Sequence, residues 1–225
     1  MILAIDTATR WTGLALYDGA NAAVLASIGW TATNTQTIEL APTIHDMLRR
    51  TNVTMDDLTA LVVAIGPGSY TGLRVGLGFA KGLALVHSLP IIGISTLDCI
   101  AHGIGDVTTP LIVVCEAGRK RVCTAAYHWQ SYKWTQVTDA DIYDWPTLIA
   151  KTDAGTAFVG EIPIHVRTEL VEKRFKVLSP AASTRHATHL AELGYARLLA
   201  GDVDAADSIT PIYLRDPAGA KPKQL

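Results

Sequence analysis

The alternation of apolar and polar residues predicts a β-meander at the start of the chain. Residues 2–5 are uniformly apolar, and residues 12–17 alternate as a half-buried strand does. Asp18 and Gly19 form a strong tight-turn pair ahead of a third strand over residues 22–29. The first part of the chain is therefore predicted to begin with three antiparallel strands.

Helical spacing follows the meander. Ile38, Ala41, Ile44 and Leu48 recur as one face of a helix, and Pro42 is tolerated there only in the first turn or as a kink. The β-branched runs at 61–65 and 91–94 predict two further strands, which gives the order βββαβαβ.

The most informative segment covers residues 65–86. A Gly-Pro-Gly turn ends the strand, Ser69 stands at a helix N-cap position, and a helix is predicted over 70–86. Its four glycines (Gly72, Gly76, Gly78 and Gly82) each cost about 1 kcal/mol against Ala in a helix interior. The helix is also apolar nearly all round, so we expect one side to lie on the sheet and another to meet a second protein.

The second half repeats the pattern of the first. A strand over residues 110–116 ends on Glu116, as the first strand ends on Asp6, and Tyr127 follows Glu116 at the spacing that separates Tyr17 from Asp6. This repetition predicts an internal duplication. Further elements are predicted at 145–151 (helix), 156–159 and 175–178 (strands) and 184–199 (helix), with a frayed tail over 215–225.

Four motifs resemble the bacterial tRNA threonylcarbamoyladenosine biosynthesis family TsaB, also called YeaZ. They are IGPGSYTGLR at 65–74, ILAIDTAT at 2–9, PIIGISTL at 90–97 and PIYLR at 211–215. The resemblance implies an α/β fold with two actin-like (ribonuclease H-like) lobes of duplicated βββαβα units. It divides the chain into an N-terminal lobe over 1–97, a C-terminal lobe over 98–214 and a flexible tail over 215–225, with the helix near 184–200 able to pack back on the first lobe.

The same resemblance implies a cytoplasmic, non-catalytic partner that activates TsaD, the enzyme that transfers a threonylcarbamoyl group to the adenosine beside the tRNA anticodon. TsaE, an ATPase, completes the cycle, and tRNA is contacted through the complex. ATP and metal are expected on TsaD, with no cofactor or metal on this chain. The first two helices are expected to pair with TsaD, or with a second copy when TsaD is absent, through Leu40, Ile44, Tyr70, Gly72, Gly76 and Phe79.

Residues 6–9 stand where actin-like ATPases place a phosphate-binding loop. The usual glycine of that loop is replaced by Ala8, so Asp6, Thr7 and Thr9 are interpreted as a relic loop. A second candidate loop, at 158–161, ends on Glu161, whose charge repels phosphate. The alternative function, an ATP-dependent phosphotransferase or ATPase of the actin-like fold, requires ATP binding that is lost on Asp6→Ala.

Other chemistry receives little support from the sequence. Ser69 lacks the Gly-x-Ser-x-Gly spacing of a nucleophile elbow, which disfavours a peptidase. His186 and His189 could chelate a metal, and a solvated helix face explains them equally well. The segment from Glu116 to Arg121 resembles the family's Asp-Ala-Arg stretch. Two roles remain open for it: a contact to RNA or to a partner, or a solvated strand edge without a binding role.

Composition limits the choice of partners. The net charge is −2, and the longest basic cluster is Arg119-Lys120-Arg121, so strong autonomous binding of tRNA is not expected. Three cysteines without metal spacing are typical of a reducing compartment. No apolar run reaches the length of a membrane span, and the first residues lack the features of an export signal.

Overall fold

The structure, a computed structural model, describes residues 1–33, 35–118 and 120–214 and divides into two compact units. The first unit contains Met1–Ser95 and His186–Ile212. The second contains Thr96–Arg185 together with Tyr213 and Leu214. Asn34, Arg119 and the predicted tail over 215–225 lie outside the described residues.

The elements of the first unit follow the order predicted from the sequence. They are β1 (Ile2–Asp6), β2 (Trp11–Asp18), β3 (Ala23–Thr31), α1 (Gln36–Thr51), β4 (Ala60–Gly66), α2 (Tyr70–His87), β5 (Ile91–Ser95) and, much later in the chain, α6 (Ala187–Leu199). The second unit contains α3 (Thr96–His102), β6 (Leu111–Glu116), β7 (Arg121–Gln130), β8 (Lys133–Gln136), β9 (Asp141–Asp144), α4 (Trp145–Lys151), β10 (Ala157–Gly160), α5 (Ile164–Glu172) and β11 (Lys176–Val177).

The sheet of the first unit has the order β3-β2-β1-β4-β5, with an antiparallel meander followed by two parallel strands. Side chains alternate between its two faces. Leu3 and Ile5 belong to one hydrophobic cluster with Leu40 of α1 and Leu77 of α2. On the other face, Val62 of β4 lies against Gly194 of α6. Helices therefore cover both faces of this sheet.

The second unit repeats this arrangement. Its sheet order, β8-β7-β6-β10-β11, matches the first sheet strand for strand, and β9 is added as a further partner of β7. The meander pairs are again antiparallel and the later pairs parallel. The predicted duplication is confirmed.

The last helix of each half packs on the sheet of the other half. After β5 the chain enters α3, which contacts β6, β7, β8 and β10, whereas α6 contacts β1 through β5. His186–Ile212 is therefore part of the first unit, in agreement with the expectation that the helix near 184–200 packs back on the first lobe, and the first segment of that unit ends at Ser95 and not at residue 97. The physical reason is that α6 covers the face of the first sheet that α1 and α2 leave open.

Several elements of the second unit were not predicted: α3, β8, β9 and α5. α5 has little amphipathic pattern because, of its residues, only Val166 and Leu170 are buried. The three cysteines are buried free thiols. Of the helices in the described part of the chain, none combines the length and the apolar character needed to cross a lipid bilayer.

Candidate functional site

The loop between β1 and β2 is closed by its own hydrogen bonds. The Asp6 carboxylate is buried and accepts a hydrogen bond from the Ala8 amide at 2.9 Å. The Thr7 hydroxyl donates to the Gly72 carbonyl at 2.7 Å, and the Ser69 amide donates to the Ala8 carbonyl at 2.6 Å. The loop is thus bound to the start of α2.

The hydroxyl of Thr9 completes this local network. It accepts a hydrogen bond from the Trp11 amide at 3.2 Å, and Thr9 itself is buried. Short polar side chains commonly satisfy nearby backbone groups in this way. The interpretation of Asp6, Thr7 and Thr9 as a relic loop stays a prediction.

Three glycines permit the close approach of this loop to α2. A Cβ atom on Gly68 would meet the carbonyl oxygen of Ala8, and one on Gly72 would meet the carbonyl oxygen of Thr7. A Cβ atom on Gly76 would meet the Thr7 hydroxyl. Side chains larger than hydrogen at these positions would push the loop and the helix apart.

This packing corrects the expected orientation of α2. Gly72 and Gly76 were expected to form a smooth strip toward a partner, but both are buried against Thr7 of the same chain. A bulky residue at Gly76 would therefore disturb the fold as well as any pairing. The glycines that face outward are Gly78 and Gly82. A Cβ atom at either position would have no atom from outside its own helical turn within 4 Å.

Gly78 and Gly82 belong to a continuous exposed stripe on α2, which we call the outer α2 face. Leu85 and Val86 end the stripe and are 82% and 76% exposed. At its beginning, Tyr70 is 39% exposed, with the Arg74 guanidinium 3.9 Å from the centroid of its ring. The outer α2 face consists of Tyr70, Thr71, Arg74, Gly78, Gly82, Leu85 and Val86, all of which are exposed.

The other expected interface residues occupy different environments. Leu40 and Ile44 of α1 are buried in the hydrophobic cluster of the first unit, and Phe79 is partly buried against that cluster. They support α1 and α2 from within. The large apolar side chain that α1 does expose is Ile38, at 71%. No sequence period distinguishes these outward positions, because α2 is apolar on nearly every side.

Ser69 is the N-cap of α2, as predicted. Its hydroxyl accepts a hydrogen bond from the Gly72 amide at 3.2 Å, and its backbone is extended. N-cap residues satisfy amide groups that a helix leaves unpaired in its first turn. The position and contacts of Ser69 give it a structural role.

The second candidate phosphate loop is occupied by an ion pair. One Glu161 oxygen lies 2.8 Å from Nη1 of the buried Arg185, and the other accepts a hydrogen bond from the Glu116 amide at 2.8 Å. The carboxylate thus lies at the ends of β6 and β10, where a phosphate would have to approach. Arg119, part of the basic cluster considered above, lies outside the described residues.

Buried titratable groups of the second unit are hydrogen-bonded to one another. The Tyr127 hydroxyl donates to the Asp98 carboxylate at 2.7 Å. Burial raises the pKa of Asp98, and burial together with the charge of Asp98 raises the pKa of Tyr127. The hydrogen bond to Cys123, followed by burial, raises the pKa of Cys115, so this thiol is unreactive near neutral pH.

Within the described ranges, no three His, Cys, Asp or Glu side chains cluster in a way that could hold a metal ion. The rings of His186 and His189 pack edge to face with their centroids 5.6 Å apart. The expected absence of a metal or cofactor on this chain stays a prediction.

Comparison with known proteins identifies the family. A model of the family described as "TsaD: tRNA N6-adenosine threonylcarbamoyltransferase" matches residues 31–145. The Bacillus subtilis tRNA threonylcarbamoyladenosine biosynthesis protein TsaB is 30% identical, over 95% of this chain and 93% of that protein. The chain belongs to the TsaB family. The Escherichia coli TsaB protein is 28% identical, over 96% of this chain and 94% of its own length.

Solved structures support the fold of this TsaB family member. YeaZ from Pseudomonas aeruginosa superimposes with a TM-score of 0.77 at 22% identity, covering 95% of this chain and 99% of that one. A Bacteroides thetaiotaomicron protein described as having an actin-like ATPase fold gives a TM-score of 0.50 at 8% identity, covering 86% and 95%. The family resemblance and the two-lobed actin-like fold predicted from the sequence are confirmed.

Proposed function

We propose that this chain acts in the formation of threonylcarbamoyladenosine in tRNA as the non-catalytic partner that activates a TsaD-type threonylcarbamoyltransferase. The Escherichia coli and Bacillus subtilis relatives are both threonylcarbamoyladenosine biosynthesis proteins, and they align along nearly the whole chain. The match to a TsaD family model supports descent from a common ancestor with that enzyme. Pairing between the two paralogues is the finer part of the proposal.

The proposed pairing with the TsaD-type enzyme is inferred from the outer α2 face. Leu85 and Val86 are among the most exposed large apolar side chains of the chain, and Gly78 and Gly82 leave a shallow surface beside them. A second helix can approach such a surface closely, so backbone and side-chain dispersion contacts increase. Burial of the apolar end contributes about 25 cal/mol per Å² removed from water.

We propose that this chain is not catalytic because the loop between β1 and β2 is bound to α2. Asp6 is bound to the Ala8 amide, Gly68 lies against Ala8, and Glu161 occupies the second candidate loop. We assign ATP and metal to the TsaD partner and ATP hydrolysis in the cycle to a TsaE-type ATPase. With a net charge of −2, this chain would meet tRNA through the complex, in the cytoplasm.

The activity is tested with purified TsaD-type and TsaE-type partners, tRNA and the substrates of the modification. We expect modified nucleoside, measured by mass spectrometry of digested tRNA, only when this chain is present. Equal product without the chain would overturn the activating role.

The interface is tested by Gly82→Arg, which places a long charged side chain on the outer α2 face. Gly105→Arg is the matched control. Gly105 is also exposed, a Cβ atom there would have no neighbouring atom within 4 Å, and the residue belongs to the second unit. We expect Gly82→Arg to abolish the complex in size-exclusion chromatography with light scattering, while the control retains it. A complex that forms equally well with both variants would rule out this surface. In the absence of TsaD, the same measurement reports whether two copies pair.

A further inference from the structure

The second unit contains a cavity of about 370 Å³ beside the β6–β7 turn. This volume lies within the range of small-molecule sites and could hold roughly a dozen waters. Charged groups border it both at the turn and after β10, where Glu161 lies, and apolar groups complete the lining. Its lining includes Glu116, Lys120, Arg121, Val122, Trp145 and Ile162.

Three charged side chains of this lining have no partner among the described residues. Within the described part of the chain, Glu116, Lys120 and Arg121 form no side-chain hydrogen bond or ion pair. The Nε atom of Arg121 is fully buried and also lacks a partner. An unpaired buried donor costs about 1–3 kcal/mol, so a ligand that pairs with the other nitrogen atoms of the Arg121 guanidinium would offset part of this cost.

The fourth charge of the lining, Glu161, is already neutralised. Its carboxylate is held by Arg185 on one oxygen and by the Glu116 amide on the other. This clamp fixes the end of β10 relative to the end of β6. The cavity therefore has one rigid charged wall and keeps two positive groups and one negative group available for a ligand.

Two backbone hydrogen bonds join the residues on either side of the turn that carries the positive groups. The Ala117 amide donates to the Arg121 carbonyl, and the Arg121 amide donates to the Gly118 carbonyl, each at 3.0 Å. Lys120 has a φ of 60°, a left-handed conformation that is costly for a residue with a side chain. The backbone thus places the Lys120 and Arg121 side chains at the cavity despite local strain.

We propose that this cavity binds a free α-amino acid. A carboxylate would pair with the Arg121 guanidinium and the Lys120 ammonium, and the amino acid's own ammonium would pair with the Glu116 carboxylate. The amino acid side chain would lie against Val122 and Ile162. A phosphate is disfavoured because Glu116 would repel its second negative charge. This proposal is independent of the proposed function, since it concerns binding to this chain alone.

The test is calorimetric titration of the full chain with L-alanine, L-serine, L-valine and L-leucine, each also followed through the indole resonance of Trp145 in NMR spectra. N-acetyl-L-valine and L-valinamide each carry one of the two charges, and inorganic phosphate tests a simple anion site. We expect at least one amino acid to bind and to shift the Trp145 resonance. Blocking either charge of L-valine should weaken its binding by about tenfold or more.

Variants locate the site. Glu116→Gln and Arg121→Gln should each weaken binding of the amino acid by about tenfold or more. Glu172→Gln and Lys176→Gln, which change exposed charges elsewhere in the same unit, should leave it unchanged. Failure of all four amino acids to bind would overturn the proposal. So would equal binding of N-acetyl-L-valine, tighter binding of phosphate, or equal loss in the control variants.

Discussion

In the first unit the loop between β1 and β2 is filled by backbone packed against α2, whereas in the second unit the loop between β6 and β7 borders an open cavity. The two loops occupy the same place in sheets of the same strand order. The strands that follow also end alike, because Gly66 and Gly160 both have positive φ, at 108° and 115°. The two units differ in the residues that follow these glycines.

The residues after each glycine explain the divergence. In the first unit, Gly68 lets the chain pass directly over Ala8, and α2 begins against the loop. In the second unit, Glu161 follows at once and forms an ion pair with Arg185 instead. One repeat fills this space with tightly packed backbone, and the other has a cavity bordered by charged side chains. The predictions below test this contrast.

The largest effect is expected for Glu161→Gln. Arg185 is 3% exposed, and the substitution removes the carboxylate that forms an ion pair with this buried guanidinium. We expect a loss of about 2–3 kcal/mol in the free energy of unfolding, somewhat less than for a completely buried pair because Glu161 is partly exposed. Glu169→Gln, which removes the exposed partner of Lys173, should cost under about 0.5 kcal/mol. Urea denaturation measures the free energy of unfolding of both variants. Equal losses would show that the Glu161–Arg185 ion pair stabilises the fold no more than an exposed pair does.

Gly76→Ala should destabilise the first unit by about 2 kcal/mol, because the added methyl group meets the Thr7 hydroxyl and overpacks the loop. The matched change Gly82→Ala lies in the same helix with open space around it. It should stabilise the protein by up to about 1 kcal/mol through helix propensity. Thermal and urea unfolding would separate the two. If both variants were stabilised, the proposed packing of α2 on the loop would be untenable.

Tyr17 and Tyr127 occupy equivalent places in the two sheets, opposite the first residues of β1 and β6 respectively. Tyr127 donates a hydrogen bond to Asp98, whereas Tyr17 packs edge to face on Tyr195. Tyr127→Phe should therefore cost about 1.5 kcal/mol, and Tyr17→Phe under about 0.5 kcal/mol. Denaturant titrations of the two variants provide the comparison, and a larger loss for Tyr17→Phe would reverse the assignment.

The smallest effect concerns pH. Burial raises the pKa of Asp98 in the folded protein, so the folded state holds this proton more tightly than the unfolded state. The resulting stability is present below the unfolded pKa of about 4 and is lost as the pH rises through the folded pKa. Carbon-detected NMR titration of the Asp98 carboxyl should give a midpoint above the usual range. The hydrogen bond from Tyr127 lowers this pKa, so Tyr127→Phe should move the midpoint higher still. An unchanged midpoint in Tyr127→Phe would show that Tyr127 does not influence the pKa of Asp98.

The sequence predicted the first unit well because its signals are local. Alternation, the turn at Asp18 and Gly19, and the N-cap at Ser69 each act within a few residues, and α2 begins at the predicted residue. The orientation of α2 could not be predicted. Gly76 packs against Thr7 and Gly82 faces outward because the chain at Gly68 lies against Ala8. Gly68 and Ala8 are distant in sequence, so no local pattern indicates this contact.

The second unit was harder to predict for a related reason. α5 is short and buries few residues, so its helical period is weak. The helical pattern of α6 indicates an apolar face but does not indicate which sheet receives it. The cavity is formed by the β6–β7 turn together with Ile162 and its neighbours after β10, and no spacing in the sequence relates those two segments. The Glu161–Arg185 pair likewise joins residues that only the fold brings together.

The return of α6 to the first sheet also affects how the chain can fold as it is synthesised. The strands of the first sheet are all made by Ser95, yet the segment that covers one of its faces begins only at His186. About 90 residues separate the two, and at 5–20 residues per second their synthesis takes roughly 5–20 s. During that interval the residues that later meet α6, such as Val62, have no helix to cover them. The nascent first unit therefore exposes one apolar face of its sheet until α6 has been synthesised.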